Sequence, residues 1–153
     1  MKKTVKTNEV VVVFNLLKNA KYTKMSDADK IAAWKIFKAI KPIASSFIED
    51  VNDAKQKMIP YEMFLEDLRR AQAYELAKAN QETFDDMSDD EYKKFINQLA
   101  KYNQVVNQAV KEYAEKDIEL EFEPLTADAL DQLRLSNDWT FSQADSIENF
   151  VCE

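Results

Sequence analysis

From Ser88 to Lys116 the apolar residues fall at Tyr92, Phe95, Leu99, Tyr102, Val106, Ala109 and Tyr113, in steps that alternate three and four. This is a heptad seam held for three repeats, and Ile96, Val105 and Val110 widen it into the stripe of a helix packed in a bundle. Ser88, with Glu91 three residues on, has the spacing of a capping box. A second stripe runs through Ala33, Phe37, Ile40, Ala44, Phe47, Val51, Ala54 and Met58, behind Ser26, Asp27 and Asp29, whose oxygens suit the exposed amides of a helix start. Pro42 lies inside that stripe without breaking its register. The pattern therefore predicts one long helix kinked at Pro42, a natural partner for the seam that begins at Tyr92. Pro60 occupies the favoured first position of a third helix, which reaches about Asn80 through Phe64, Leu65, Leu68, Ala71 and Leu76 and carries Arg69 and Arg70 on its polar face.

The ends of the chain are patterned differently. Val10, Val13, Phe14, Leu17 and Ala20 fit one face of a helix from about Asn8, as N-cap, to Asn19, which takes the place of a terminating glycine. Four consecutive valines favour a strand by propensity, but no turn residue separates them from Leu16 and Leu17, so the helix is the stronger expectation. After Lys116 the period becomes two: Ile118, Leu120 and Phe122 alternate with Glu119, Glu121 and Glu123 up to Pro124. One strand needs a partner, and Lys2 to Lys6, the valine run, or a sheet edge in another chain are the candidates. The tail reads as two short helices, Ala127 to Leu135 capped by Thr126 and Gln143 to Val151 capped by Ser142. Trp139 and Phe141, between them, are expected to anchor it to the bundle.

These elements predict a mainly α fold, a helical bundle with one short strand and a short helical C-terminal tail. At 153 residues they make a single domain, with the bundle over 1–116 and an acidic lobe over 117–153.

Composition removes much standard chemistry. Glycine is absent, so phosphate-binding loops, dinucleotide fingerprints, EF-hand loops and nucleophile elbows are excluded, since each needs glycine where the backbone turns sharply. With no histidine, Ser-His and Cys-His catalysis and the commonest zinc ligand go too. The single cysteine, Cys152, allows no intrachain disulfide and fits a reducing compartment. Lys2, Lys3 and Lys6 ahead of Val10 to Leu17 imitate a secretory signal, but Glu9 and Asn15 interrupt the apolar run and no small-x-small cleavage site follows. No apolar run approaches membrane-spanning length.

The net charge of −7 is unevenly spread. Residues 1–41 set ten lysines against Glu9, Asp27 and Asp29, whereas from Asp117 onward ten acidic residues face only Arg134. Such a gradient favours head-to-tail contact between copies or docking on a basic partner; solvated faces of differing sign would look the same. The candidate partner-binding residues are Asp117, Glu119, Glu121, Glu123, Asp128 and Asp131. Asp85, Asp86, Asp89 and Asp90 have the composition of a divalent-metal site, but without a spaced ligand pattern they read better as acids complementing a helix dipole. Lys30, Lys35, Lys38 and Lys41 beside Trp34 could touch nucleic acid, a reading the overall acidity opposes.

The order of features resembles a group of small proteins of unknown function encoded by tailed phages and prophages near tail genes. The likeness lies in the Asn-led apolar helix, Asp29-Lys30-Ile31 through Ala39-Ile40-Lys41-Pro42-Ile43 with the helix to Lys57, and Tyr102-Asn103. It continues in Asp117-Ile118-Glu119-Leu120 with Leu125 and Leu130, in Trp139-Thr140-Phe141, and in Ile147-Glu148-Asn149-Phe150. Tyr61 to Met87 departs most. The resemblance implies a phage protein, tail-associated or used in assembly, located in the host cytoplasm or the virion, and it supplies no catalytic residues.

The expectation is thus a non-enzymatic protein without cofactors, acting through a phage or host protein or through self-association, with nucleic acid and membrane unfavoured. The alternative is an acidic inhibitor whose carboxylates imitate nucleic-acid phosphates toward a host nucleic-acid enzyme or defence protein. An enzyme using carboxylates and a metal is the remaining possibility.

Overall fold

A computed structural model describes the backbone of residues 1–58 and 61–153 and the side chains of residues 1–57 and 64–153. The fold is mainly α: six helices among the described residues and one two-stranded sheet. The order is β1 (Lys2–Lys6), α1 (Thr7–Lys18), α2 (Asp27–Met58), α3 (Tyr61–Ala79), α4 (Asp89–Ala114), β2 (Asp117–Glu121), α5 (Ala127–Ser136) and α6 (Phe141–Val151). The chain separates into two compact units, Met1–Glu49 with Glu112–Glu153, and Asp50–Lys111. The expected helix start at Pro60 lies outside the described residues.

In the first unit the acidic strand pairs within the chain rather than standing alone. β1 and β2 are antiparallel, with Lys2 opposite Glu121, Thr4 opposite Glu119 and Lys6 opposite Asp117. The pleat sends these six side chains to one face and Val5 and Leu120, both buried, to the other. Met1 and Phe122 extend the ladder by exchanging backbone hydrogen bonds of 2.9 and 3.1 Å. Thr7 closes its other end, its amide and its Oγ1 both donating to the Lys116 carbonyl at 2.9 Å. The one expected strand is therefore half of a hairpin-like pair whose strands lie more than a hundred residues apart.

The valine run is helical. Val10, Val13, Phe14 and Leu17 are buried while Val12 is 47% exposed, a helical period that the core enforces over β propensity. The cap lies two residues earlier than expected, at Lys6 rather than Asn8. The Glu9 carboxylate accepts the Lys6 amide at 2.9 Å, and Asn8 lies inside the first turn. Asn19 closes the helix through its amide (3.2 Å) and side chain (3.0 Å) to the Asn15 carbonyl. Ser26 caps α2, its Oγ accepting the Asp29 amide at 3.1 Å. The helix runs on through Pro42, whose exposed position leaves the carbonyl it orphans open to water.

α5 starts as expected, with the Thr126 hydroxyl accepting the Ala129 amide at 3.1 Å. Its end is tied to the α1–α2 connection by Asn137, which accepts the Lys21 amide and donates to the Lys21 carbonyl, each at 2.8 Å. α6 is capped by Thr140, not Ser142, because Gln143 is long enough to return the bond from the third helical position (3.0 Å), which Asp145 behind Ser142 is not. That shift puts Trp139 against the core and Phe141 in the first helical position, 97% exposed, so Phe141 does not anchor the tail. The innermost side chains of the unit, Val10, Leu17, Ile36, Ile40, Leu133 and Ile147, come from α1, α2, α5 and α6.

The second unit has a smaller core of Ala71, Tyr74, Met87 and Phe95. The expected capping box forms at α4, Ser88 and Glu91 exchanging side-chain-to-backbone bonds of 3.2 Å. The first half of the α4 seam meets α3: Phe95 and Tyr102 pack on Phe64, and Tyr92 stacks on Tyr74 with ring centres 4.2 Å apart. Tyr102 also donates to the Lys55 carbonyl of α2 at 3.3 Å. The end of α3 is a Schellman turn: the Glu82 amide reaches the Ala77 carbonyl (2.8 Å), the Gln81 amide reaches that of Lys78 (3.1 Å), and Gln81 has a φ of 57°.

A left-handed residue other than glycine costs about 1–2 kcal/mol, so Gln81→Gly is expected to raise stability by roughly 0.5–1 kcal/mol after the entropy glycine loses on folding, measured by urea denaturation. Leu133→Ala, at a fully buried site, should cost about 2–5 kcal/mol in the same assay.

Candidate functional site

Three surfaces of the first unit carry the residues the sequence singles out. The first is the outer face of the β1–β2 ladder. Asp117, Glu119 and Glu121 all lie there, exposed, but in register with a basic strand. Lys6 Nζ is 2.5 Å from Asp117, which holds the Lys6 ammonium above its ordinary range chiefly through their hydrogen bond. Lys2 stands across from Glu121, and only Glu119 faces a neutral residue, Thr4. A cross-strand lysine next to a carboxylate cancels much of its field, so the row is not a run of unopposed negative charge. Glu123 is exposed just beyond the strand.

The second surface is the outer face of α2. At 100° per residue, Lys30, Ile31, Trp34, Lys35, Lys38 and Lys41 fall on one side of the helix, opposite the buried Ala33, Ile36, Ile40 and Ala44. Ile31 and Trp34 are each 57% exposed. Trp34 stacks on Phe37, centroid to centroid 5.5 Å, and Phe37 stacks on Phe14 at 5.2 Å, so the indole is braced by the core while much of it faces water. Lys30 has Asp27 at 3.8 Å; among the described residues Lys35, Lys38 and Lys41 have no carboxylate within 4 Å.

The third surface joins the outer face of α5 to the first turns of α6. Asp128, Asp131 and Leu135 share the exposed side of α5, and Asp138, Phe141 and Asp145 are exposed in the connection and the first turns of α6. Leu135 is 64% exposed. Arg134 is neutralised by Asp131 at 3.9 Å and by Glu148. A cleft of about 710 Å³ opens here, lined by Trp139, Phe141, Ala144, Asp145 and Glu148 among others. The structure thus places Asp128 and Asp131 with one another on α5, whereas Asp117, Glu119 and Glu121 belong to the ladder. Leu135 and Phe141 were missed by sequence reasoning, because an apolar residue in a short helical period reads as core.

Cys152 has its thiol pushed up by burial and by Glu148, which keeps it protonated and unreactive near neutral pH. In the second unit, of Asp85, Asp86, Asp89 and Asp90, the Asp89 carboxylate and the Asp86 backbone are tied to α3. Tyr74 Oη donates to Asp89, Lys78 lies 3.3 Å from the same carboxylate, and Arg70 donates to the Asp86 carbonyl. No group of three or more carboxylate or thiol ligands among the described residues could hold a metal ion. No helix among them is long and apolar enough to cross a membrane. No family model, curated protein or solved structure matches the chain.

The Tyr74–Asp89 bond carries a pH signature. Its hydrogen bond to Asp89 pushes the Tyr74 phenol from 10.0 up to about 12, and the same bond, with Lys78, holds Asp89 below its ordinary 3.8. The Tyr74 contribution is therefore complete below pH 10 and lost as pH rises through 12. The Asp89 contribution is present above the ordinary carboxylate range and lost as pH falls below it. Denaturation midpoints across pH should fall more steeply between pH 10 and 12 in the wild type than in Tyr74→Phe; equal slopes would refute the assignment.

Proposed function

We propose that this chain is a non-catalytic interaction protein that works by docking on another protein, as a phage component used in assembly or on the tail. The observation that carries the reading is the exposure of Trp34 and Phe141, at 57% and 97%. Large aromatic side chains held in water at the surface of a packed unit are characteristic of binding sites. Trp34 is braced by its stack on Phe37, and the backbone of Phe141 is held by the Thr140–Gln143 box. A preordered side chain such as Trp34 loses less entropy on docking than a mobile one.

Imitation of nucleic-acid phosphates is the weaker reading, since two of the three ladder carboxylates face lysines across the strands. The phage setting rests on the resemblance in sequence order, and with it a place in the host cytoplasm or the virion.

The test is cross-linking and mass spectrometry on tagged protein in phage-infected cells, comparing the wild type with Trp34→Ser/Phe141→Ser. Phe141 is 97% exposed and Trp34 gives up only its stack on Phe37, so the double variant should keep its helical circular dichroism and a cooperative melt. Specific partners, including other copies, should be recovered with the wild type and fall at least about tenfold with the variant, the loss of a single hot spot. Recovery of the same proteins by both would refute the reading.

A further inference from the structure

Resting on that reading, we propose that the partner is a second copy of this chain, the lysine-ringed face of α2 in one copy docking on the aspartate-ringed α5–α6 surface of another.

The two surfaces are alike in design and opposite in sign. On α2, the exposed Ile31 and Trp34 lie among Lys30, Lys35, Lys38 and Lys41, which extend over about 16 Å of helix at 1.5 Å per residue. On the other surface, Leu135 shares the exposed side of α5 with Asp128, and Phe141, three residues after the exposed Asp138, lies one helical turn from Asp145 on α6. Among the described residues none of these three aspartates has a cation within 4 Å, and Lys35, Lys38 and Lys41 have no anion. Charges left unpaired within a chain so rich in both signs are free to pair outside it.

Shape agrees with charge. The α5–α6 cleft, about 710 Å³ and open to solvent, has Trp139, Phe141 and Ala144 in its lining, against which an incoming apolar side chain would lose water. Trp34 is the one aromatic side chain the α2 face projects. Arg134, the cation beside the cleft, is neutralised by Asp131 and Glu148 and so offers little repulsion to an approaching lysine. An apolar centre with a charged rim of complementary sign is the anatomy of a specific protein interface.

The same complementarity argues against a nucleic acid on these lysines. A chain of net charge −7 repels a polyphosphate at long range, whereas another copy brings three unpaired aspartates to the lysines together with an apolar surface for Trp34.

The experiment uses two charge-reversed full-length variants, Lys35→Glu/Lys38→Glu/Lys41→Glu and Asp128→Lys/Asp138→Lys/Asp145→Lys, each checked for fold by circular dichroism. Mass is measured by light scattering over a concentration series. The wild type should exceed the monomer mass at low salt, and its dissociation constant should rise at least about tenfold on going to high salt, as screening weakens the rim. Each variant alone should be monomeric, because each lacks one of the two surfaces. Their mixture should restore a one-to-one complex, since the acidic cleft of the first variant meets the lysine face of the second.

Wild-type protein that is monomeric at every concentration, variants that associate as well as the wild type, or a mixture that stays monomeric would each overturn the proposal. A monomeric wild type that still recovers a foreign protein through Trp34 and Phe141 would remove only this inference and leave the interaction reading in place. If it recovers none, both fall. Binding of a single-stranded oligonucleotide by a monomeric wild type, lost in the lysine variant, would replace the second copy with nucleic acid as the occupant.

Discussion

The first unit depends on the pairing of Lys2–Lys6 with Asp117–Glu121, closed by Thr7 on the Lys116 carbonyl. These contacts join segments separated by about 110 residues, and closing a loop of that length costs on the order of 4 kcal/mol of chain entropy. Two strands alone cannot offset that cost, because an isolated antiparallel pair is marginal in water. What offsets it is the core that the pairing brings together, in which α1 and α2 from one end of the sequence meet α5 and α6 from the other. Val5 and Leu120, on the inner face of the ladder, are part of that core.

The ladder also rearranges the charge of the chain. Read linearly, a basic beginning opposes an acidic end; folded, Lys2 and Lys6 lie across from Glu121 and Asp117, and much of the contrast is cancelled inside the unit. Lys35, Lys38 and Lys41 of α2, and Asp128, Asp138 and Asp145 in and around α5 and α6, stay outside that pairing, on elements that also expose Trp34, Leu135 and Phe141. Charge that persists after internal pairing is more informative about partners than the gross gradient is.

A chain without glycine must also end its helices by other means. Asn19 and Asn137 use their side-chain amides on nearby carbonyls, Thr126, Thr140 and Ser26 accept amides at helix starts, and among the described residues Gln81 alone takes the left-handed conformation. Each device is local, a side chain satisfying a backbone group a few residues away. This is why most helix boundaries could be read from sequence within a residue or two. Where a boundary was misplaced, two caps competed, as Thr140 and Ser142 did, and the longer reach of Gln143 decided between them.

By itself the sequence determined the helices, their stripes, the continuity of α2 through Pro42, the capping box at Ser88 and the period-two strand after Lys116. These follow from backbone geometry and from side chains three or four positions apart, which a linear reading contains. Tertiary structure alone decided which of three candidates pairs with β2, and that Trp139 packs on the core while Phe141 faces water. Each of those turns on a contact between residues distant in the chain. The same holds for the candidate surfaces: Asp128 and Asp131 could be named from sequence, but whether a charge is free or cancelled is a property of its neighbours in space.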